Sequence, residues 1–137
     1  MPLKNEYLKT GIIIWHWGVV TGDELISSNR EIYNHKFENG CKFQLAELSK
    51  VTDFSLTTKD IKALANMDQS LTTEQPQVGV VVAQSDYIFG MSRMWSMLAE
   101  TETFKTHVVR TIDDALDYLR ENGIDIEKPE FPQAELR

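Results

Sequence analysis

From Val78 to Ala83 the chain is almost continuously aliphatic, and this run leads straight into a helix carrying more apolar side chains than one core-facing stripe needs. A strand with no polar face has to be covered on both sides, which places it in the middle of a sheet. Gln84, Ser85 and Asp86 are cap-type residues, and beyond them come Ile88, Phe89, Met91, Met94, Trp95, Met97 and Leu98. A buried strand opening onto a helix N-terminus is where open α/β sheets place ligands.

The rest of the chain supplies the neighbours such a strand requires. A short strand around Tyr7 and a turn at Lys9-Thr10-Gly11 precede a second strand, Ile12 to Val19. There Ile12, Ile14 and His16 point one way while Ile13, Trp15 and Trp17 point the other, so both faces are buried. Thr21 with Glu24 three residues on is a capping-box pattern opening the first helix. A third strand spans Lys42 to Leu48, a loop runs from Ser49 to Leu56, and a second helix starts near Thr57 or Thr58 and closes polar at Leu71 to Gln75. After the apolar helix come a strand from Thr106 to Arg110 and an amphipathic helix capped at Thr111 and ended by Asn122-Gly123. The order ββαβαβαβα calls for an α/β layered domain.

A length of 137 residues fits one domain with a proper core. The net charge of −7 excludes the basic footprint of a nucleic-acid binder and attraction to an anionic membrane surface. A single cysteine, Cys41, excludes an internal disulfide or a multi-thiolate metal site and fits a reducing compartment. The apolar run Ile12 to Val20 is too short to span a bilayer and contains His16, so no integral membrane segment and a cytoplasmic location are expected.

Three groups of residues resemble the SpoIIAA-like branch of the STAS (STAS/SEC14-like) domains, over about Tyr7 to Gly123. The first is Gly18 to Leu25, similar to the family's strand-to-helix turn, and the second is Leu48-Ser49-Lys50-Val51-Thr52. The third is Val80 to Ala83, then Phe89-Gly90-Met91-Ser92-Arg93-Met94, then Val108-Val109-Arg110-Thr111 with Asp114 to Leu119. The resemblance implies a mixed sheet of four or five strands with helices packed mainly on one face. It also implies a SpoIIAA-like domain over residues 1–123, leaving 124–137 as an acidic C-terminal tail. For function it implies a non-enzymatic module, either a regulatory protein's partner of the anti-sigma-factor-antagonist kind or a holder of a small hydrophobic or nucleotide ligand. In the former kind a Ser or Thr at the helix after the third strand is phosphorylated. Here the typical Asp-Ser-Ser-Gly is replaced by Ser55-Leu56-Thr57-Thr58, which changes the surroundings a kinase reads.

Each candidate site has a plainer alternative beside it. Ser55, Thr57 and Thr58 are switch candidates, and the plain reading is an ordinary N-cap. Ser85 and Asp86, with Arg93 as counter-charge, suit a polar ligand group at the strand's C-terminal edge, or simply cap the helix. Gly90 is read as permitting close packing of helix on sheet. Met91, Met94, Trp95 and Met97 cannot all face one sheet, so some meet a thick core, a second subunit or a ligand. His16, between two tryptophans, is a buried hydrogen-bonded residue or a pocket lining. No metal-ligand spacing, nucleophile elbow or acid/base pair is present, so no catalytic residue, metal or cofactor is expected.

Two functions follow as expectations. One is a self-associating binding module, a homodimer acting through the Met-rich helix and the edge near Ser55 to Thr58. The other is a carrier for a small apolar or amphipathic ligand, with a pocket lined by Trp15, Trp17, Phe89, Met91 and Trp95.

Overall fold

The computed structural model describes residues 3–72 and 76–132. The polar close of the second helix at 73–75 and the end of the tail at 133–137 lie outside the described residues. The elements are β1 (Leu3–Tyr7), β2 (Gly11–Thr21), α1 (Gly22–Asn34), β3 (Phe43–Ser55), α2 (Thr58–Leu71), β4 (Gln77–Val82), α3 (Asp86–Ala99), β5 (Phe104–Val109) and α4 (Ile112–Glu121). They follow the expected order.

The five strands lie side by side in sequence order, β1 antiparallel to β2 and every other pair parallel. Parallel neighbours need crossovers, and the helices supply them. Helices α1, α2 and α3 cover one face, while α4 covers the other. The result is the mixed sheet with helices mainly on one face that the STAS resemblance implies.

Alternation along β2 assigns the two cores. Ile13 and Trp15 join Phe43, Leu45, Val80, Val82, Ala115 and Leu119 on the α4 side. The extended segment after Gly123 lies on that side as well, with Ile124, Ile126 and Phe131 packed on the cluster. Phe131 meets Trp15 and Trp17 edge-on at centroid distances of 5.3 and 5.9 Å. The opposite residues, Ile14 and His16, look toward α1 and α2.

The long β2–β3 pair departs from the expected boundaries. Ser49 to Ser55 is strand, not loop, and pairs with β2 as far as Thr21. The alternation fades there because the pair outruns β4, whose pairing with β3 ends at Glu47. Two register shifts interrupt it. Trp15 pairs with Glu47 but Trp17 with Lys50, so His16 alone faces both Leu48 and Ser49. At the second shift Gly18 adopts φ 67°, a conformation that suits glycine.

Candidate functional site

Helix α2 sits between α1 and α3 and touches the sheet little. Beneath it lies a cavity of about 110 Å³. Its roof is the inward face of α2, Ile61, Leu64 and Asp68, spaced as a helix spaces one face. Leu25, Ser28, Asn29 and Ile32 of α1 form one wall, and Met91, Ser92 and Trp95 of α3 form the other. The floor comes from β2, β3 and β4, with Ile14, His16, Gln44, Ala46, Leu48 and Gly79. A Cβ at Gly79 would come within 2.8 Å of the Phe104 ring, so a bare backbone is needed for the Phe104 side chain of β5 to sit this close, while the Trp95 indole at 3.5 Å is in ordinary contact.

His16 is the unpaired polar member of this lining. Its side chain is fully buried at 2% accessibility, and among the described residues neither Nδ1 nor Nε2 has a hydrogen-bond partner. Burial penalises the imidazolium and holds the pKa near 4. The Ile14 carbonyl opposes that shift but lies outside hydrogen-bond geometry of either nitrogen. The β3 bulge opposite His16 is the kind of irregularity that re-aims a side chain.

Asp68 is a buried carboxylate in this lining, and it is fully engaged. Oδ1 accepts from Asn29 Nδ2 at 3.0 Å and from the Tyr33 hydroxyl at 2.6 Å, and Oδ2 accepts from Trp95 Nε1 at 2.7 Å. Gln44 Nε2 extends the network, donating to the Tyr33 oxygen at 3.0 Å and to Gln77 Oε1 at 2.9 Å. All three partners of Asp68 donate, the arrangement an ionised carboxylate takes. Burial raises its pKa and the three donors oppose that rise. The same burial, with Asp68 beside it, raises the Tyr33 pKa.

The sequence-predicted residues divide by face. Met91 and Trp95 line the cavity, and Phe89 packs on the neighbouring core cluster. Trp15 and Trp17 do not reach the cavity, because the β2 alternation sends them to the opposite face. Ser85 caps α3, accepting from Ile88 N at 3.3 Å. The cation at this edge is Arg110, not Arg93. Arg110 donates to Asp86 Oδ1 and to the Gln84 carbonyl, both at 2.9 Å, and its guanidinium lies 3.9 Å over the Phe89 ring. Arg93 is exposed further along α3.

Met94 and Met97 are exposed, Met97 at 76%, and with Tyr87 and Leu98 they form an apolar ridge on α3. Gly90 lies on this side with nothing near its would-be Cβ, so it is not the close-packing glycine the motif led us to expect. Thr57 is the N-cap of α2, in a reciprocal capping box with Asp60, and Ser55 and Thr58 are exposed beside it. Phosphate on Thr57 would sit against the Asp60 carboxylate, a like-charge contact.

Sequence reasoning missed Asp68, Tyr33, Asn29 and Gln44. The signal was an acidic residue seven positions after Ile61 on the apolar face of a helix. The remaining titratable groups do not join the site. His35 stacks on Tyr7 at 3.7 Å and His107 on Tyr118 at 4.7 Å. Cys41 donates to the Phe43 carbonyl, and burial pushes its pKa up to about 11.

No family model matches the chain, and no curated protein matches it. Among solved structures it is similar to an uncharacterised protein of the DUF3478 family, with a SpoIIAA-like fold, from Shewanella loihica PV-4. The identity is 12%, the TM-score 0.45, and the match covers 85% of this chain and 91% of that one. The likeness is loose, and the architecture described above rests on this chain's own strand order and register. Among the described residues no helix is long and apolar enough to cross a membrane.

Proposed function

We propose that this protein is a non-catalytic binding domain for a small, mainly apolar ligand, held in the cavity beneath α2. The observation that carries the reading is a buried histidine lining an apolar cavity with neither nitrogen bonded to protein. An unpaired buried polar group costs about 1–3 kcal/mol, and a ligand that pairs with it offsets that cost. Largely apolar walls with a few polar groups are the usual make-up of a small-molecule site. Native mass spectrometry of gently purified protein, compared with its denatured mass, tests the reading. A non-protein adduct lost on denaturation is the expected result, and a protein that binds none of a panel of small apolar compounds sinks the proposal.

A second reading, self-association, is favoured by a separate observation. The ridge of Tyr87, Met94, Met97 and Leu98 is apolar and exposed on one side of α3. A second copy would cover it through a two-fold contact. The same native spectra report it as a doubled mass.

A further inference from the structure

We propose that the cavity beneath α2 selects a small neutral compound, apolar over most of its surface, whose single hydroxyl-type group pairs with the His16 imidazole. This rests on the reading of the cavity as a ligand site.

The hydrogen-bonding requirement comes from His16. A neutral imidazole has one N–H and one lone-pair nitrogen. Among the described residues neither nitrogen has a partner, at 2% exposure, in a lining that is otherwise mostly aliphatic or aromatic. A hydroxyl suits whichever nitrogen it meets, donating to the bare one or accepting from the protonated one. A purely apolar ligand would leave the imidazole unpaired.

The charge requirement comes from the rest of the lining. Among the described residues no lysine or arginine lines the cavity, and Asp68 does. A carboxylate or phosphate would therefore meet a buried negative charge with no cation to compensate it, in surroundings where such repulsion is poorly screened. A cation fares little better, because the Asp68 oxygens already accept three hydrogen bonds.

The size requirement comes from the volume of about 110 Å³. An apolar cavity of about 150 Å³ accepts benzene, so the fit here is one ring or a short branched chain of about six to eight non-hydrogen atoms. Besides Ala46 on the floor and Trp95, the half-buried lining residues are Leu25, Leu56, Leu64 and Met91. They mark the outer wall, and their flexible side chains allow small adjustments of shape.

The experiment compares phenol, toluene and benzoate on the full chain at neutral pH. Titration calorimetry gives affinities, and ¹⁵N spectra of the histidine rings report on His16. Phenol is expected to bind about tenfold tighter than toluene and to move the His16 ring signals. Benzoate is expected not to bind at concentrations that saturate phenol. In His16→Phe the gap between phenol and toluene closes. Equal affinity for phenol and toluene with His16 unmoved overturns the proposal and leaves the cavity as a ligand site, its histidine satisfied by water. Benzoate binding as tightly as phenol overturns it too. If none of the three binds and signals from the cavity-lining methyl groups stay still, the ligand-site reading fails as well. Should His16→Phe not fold, the wild-type comparison and the ring signals decide.

Discussion

The indole N–H of Trp95 donates to Asp68 Oδ2 across 2.7 Å, bridging α3 to α2 beside the cavity. The other carboxylate oxygen holds α1 through Asn29 and Tyr33. One buried side chain therefore ties together the three helices of this face, and no cation shares the work.

Removing that tie is expected to cost far more than an ordinary substitution. Asp68→Ala leaves the buried donors of Asn29, Tyr33 and Trp95 without their acceptor, which predicts a loss of about 3–5 kcal/mol. Trp95→Phe removes only one of the three donors and is expected to cost about 1–3 kcal/mol. Urea unfolding of the two variants checks the order, and equal losses would contradict the hub role of Asp68.

His16 predicts an acid-sensitive stability. The folded chain keeps the imidazole neutral down to about pH 4, whereas the unfolded chain takes a proton below its ordinary value of 6.5. Between those values the unfolded state binds more protons, so stability falls as pH falls, by about 3 kcal/mol at pH 4. Asp68, also on the cavity wall, acts with the opposite sign. Its raised pKa makes the folded state bind more protons above the ordinary 3.8, so its contribution declines as pH rises. The difference between wild type and His16→Phe isolates the histidine. Urea midpoints at pH 7 and pH 4 should show the variant losing less, and parallel losses would contradict a neutral buried His16.

Thr57 is expected to behave as a cap. Thr57→Ala should cost about 1 kcal/mol, and Thr57→Asp, itself a good N-cap, close to nothing. Thermal unfolding distinguishes them by a few degrees. A large change in ligand binding or oligomeric state in Thr57→Asp would instead revive the phosphorylation switch.

Two glycines should respond in opposite directions. Gly79→Ala drives a methyl group into the Phe104 ring and is expected to destabilise by about 1–3 kcal/mol. Gly90→Ala lies in an exposed part of α3 with nothing in its path, and should stabilise by up to about 1 kcal/mol. Denaturation midpoints moving the same way would contradict the contrast between a crowded Gly79 and an open Gly90.

Met97→Glu tests self-association. At 76% exposure the change should alter monomer stability by less than about 0.5 kcal/mol. It should convert a dimer to a monomer in sedimentation velocity. A dimer that persists unchanged would place the interface elsewhere.

The element order, the interior position of β4 and the division of β2 into two faces were legible in the sequence. Each follows from a local pattern: an aliphatic run, a capping box, an alternation of side chains. Helical spacing showed that Met91, Met94, Trp95 and Met97 cannot all face one sheet, but not that Met94 and Met97 are the exposed ones. Local patterns failed where a partner strand or helix decides the outcome. Ser49 to Ser55 lacks a clean alternation, yet it is held as strand by pairing with β2 beyond the end of β4.

What the sequence alone determined is the layered α/β architecture and the burial of His16 within it, because periodicity and hydrophobic burial are written into neighbouring residues. What only the tertiary structure decided is the site. The cavity exists because α2 stands between α1 and α3, away from the sheet. Asp68 matters because residues 27 to 39 positions away donate to it. Trp15 and Trp17 are excluded because Phe131 and the α4 face claim them. Such contacts depend on how elements pack across the sheet, which no pattern within a single element encodes.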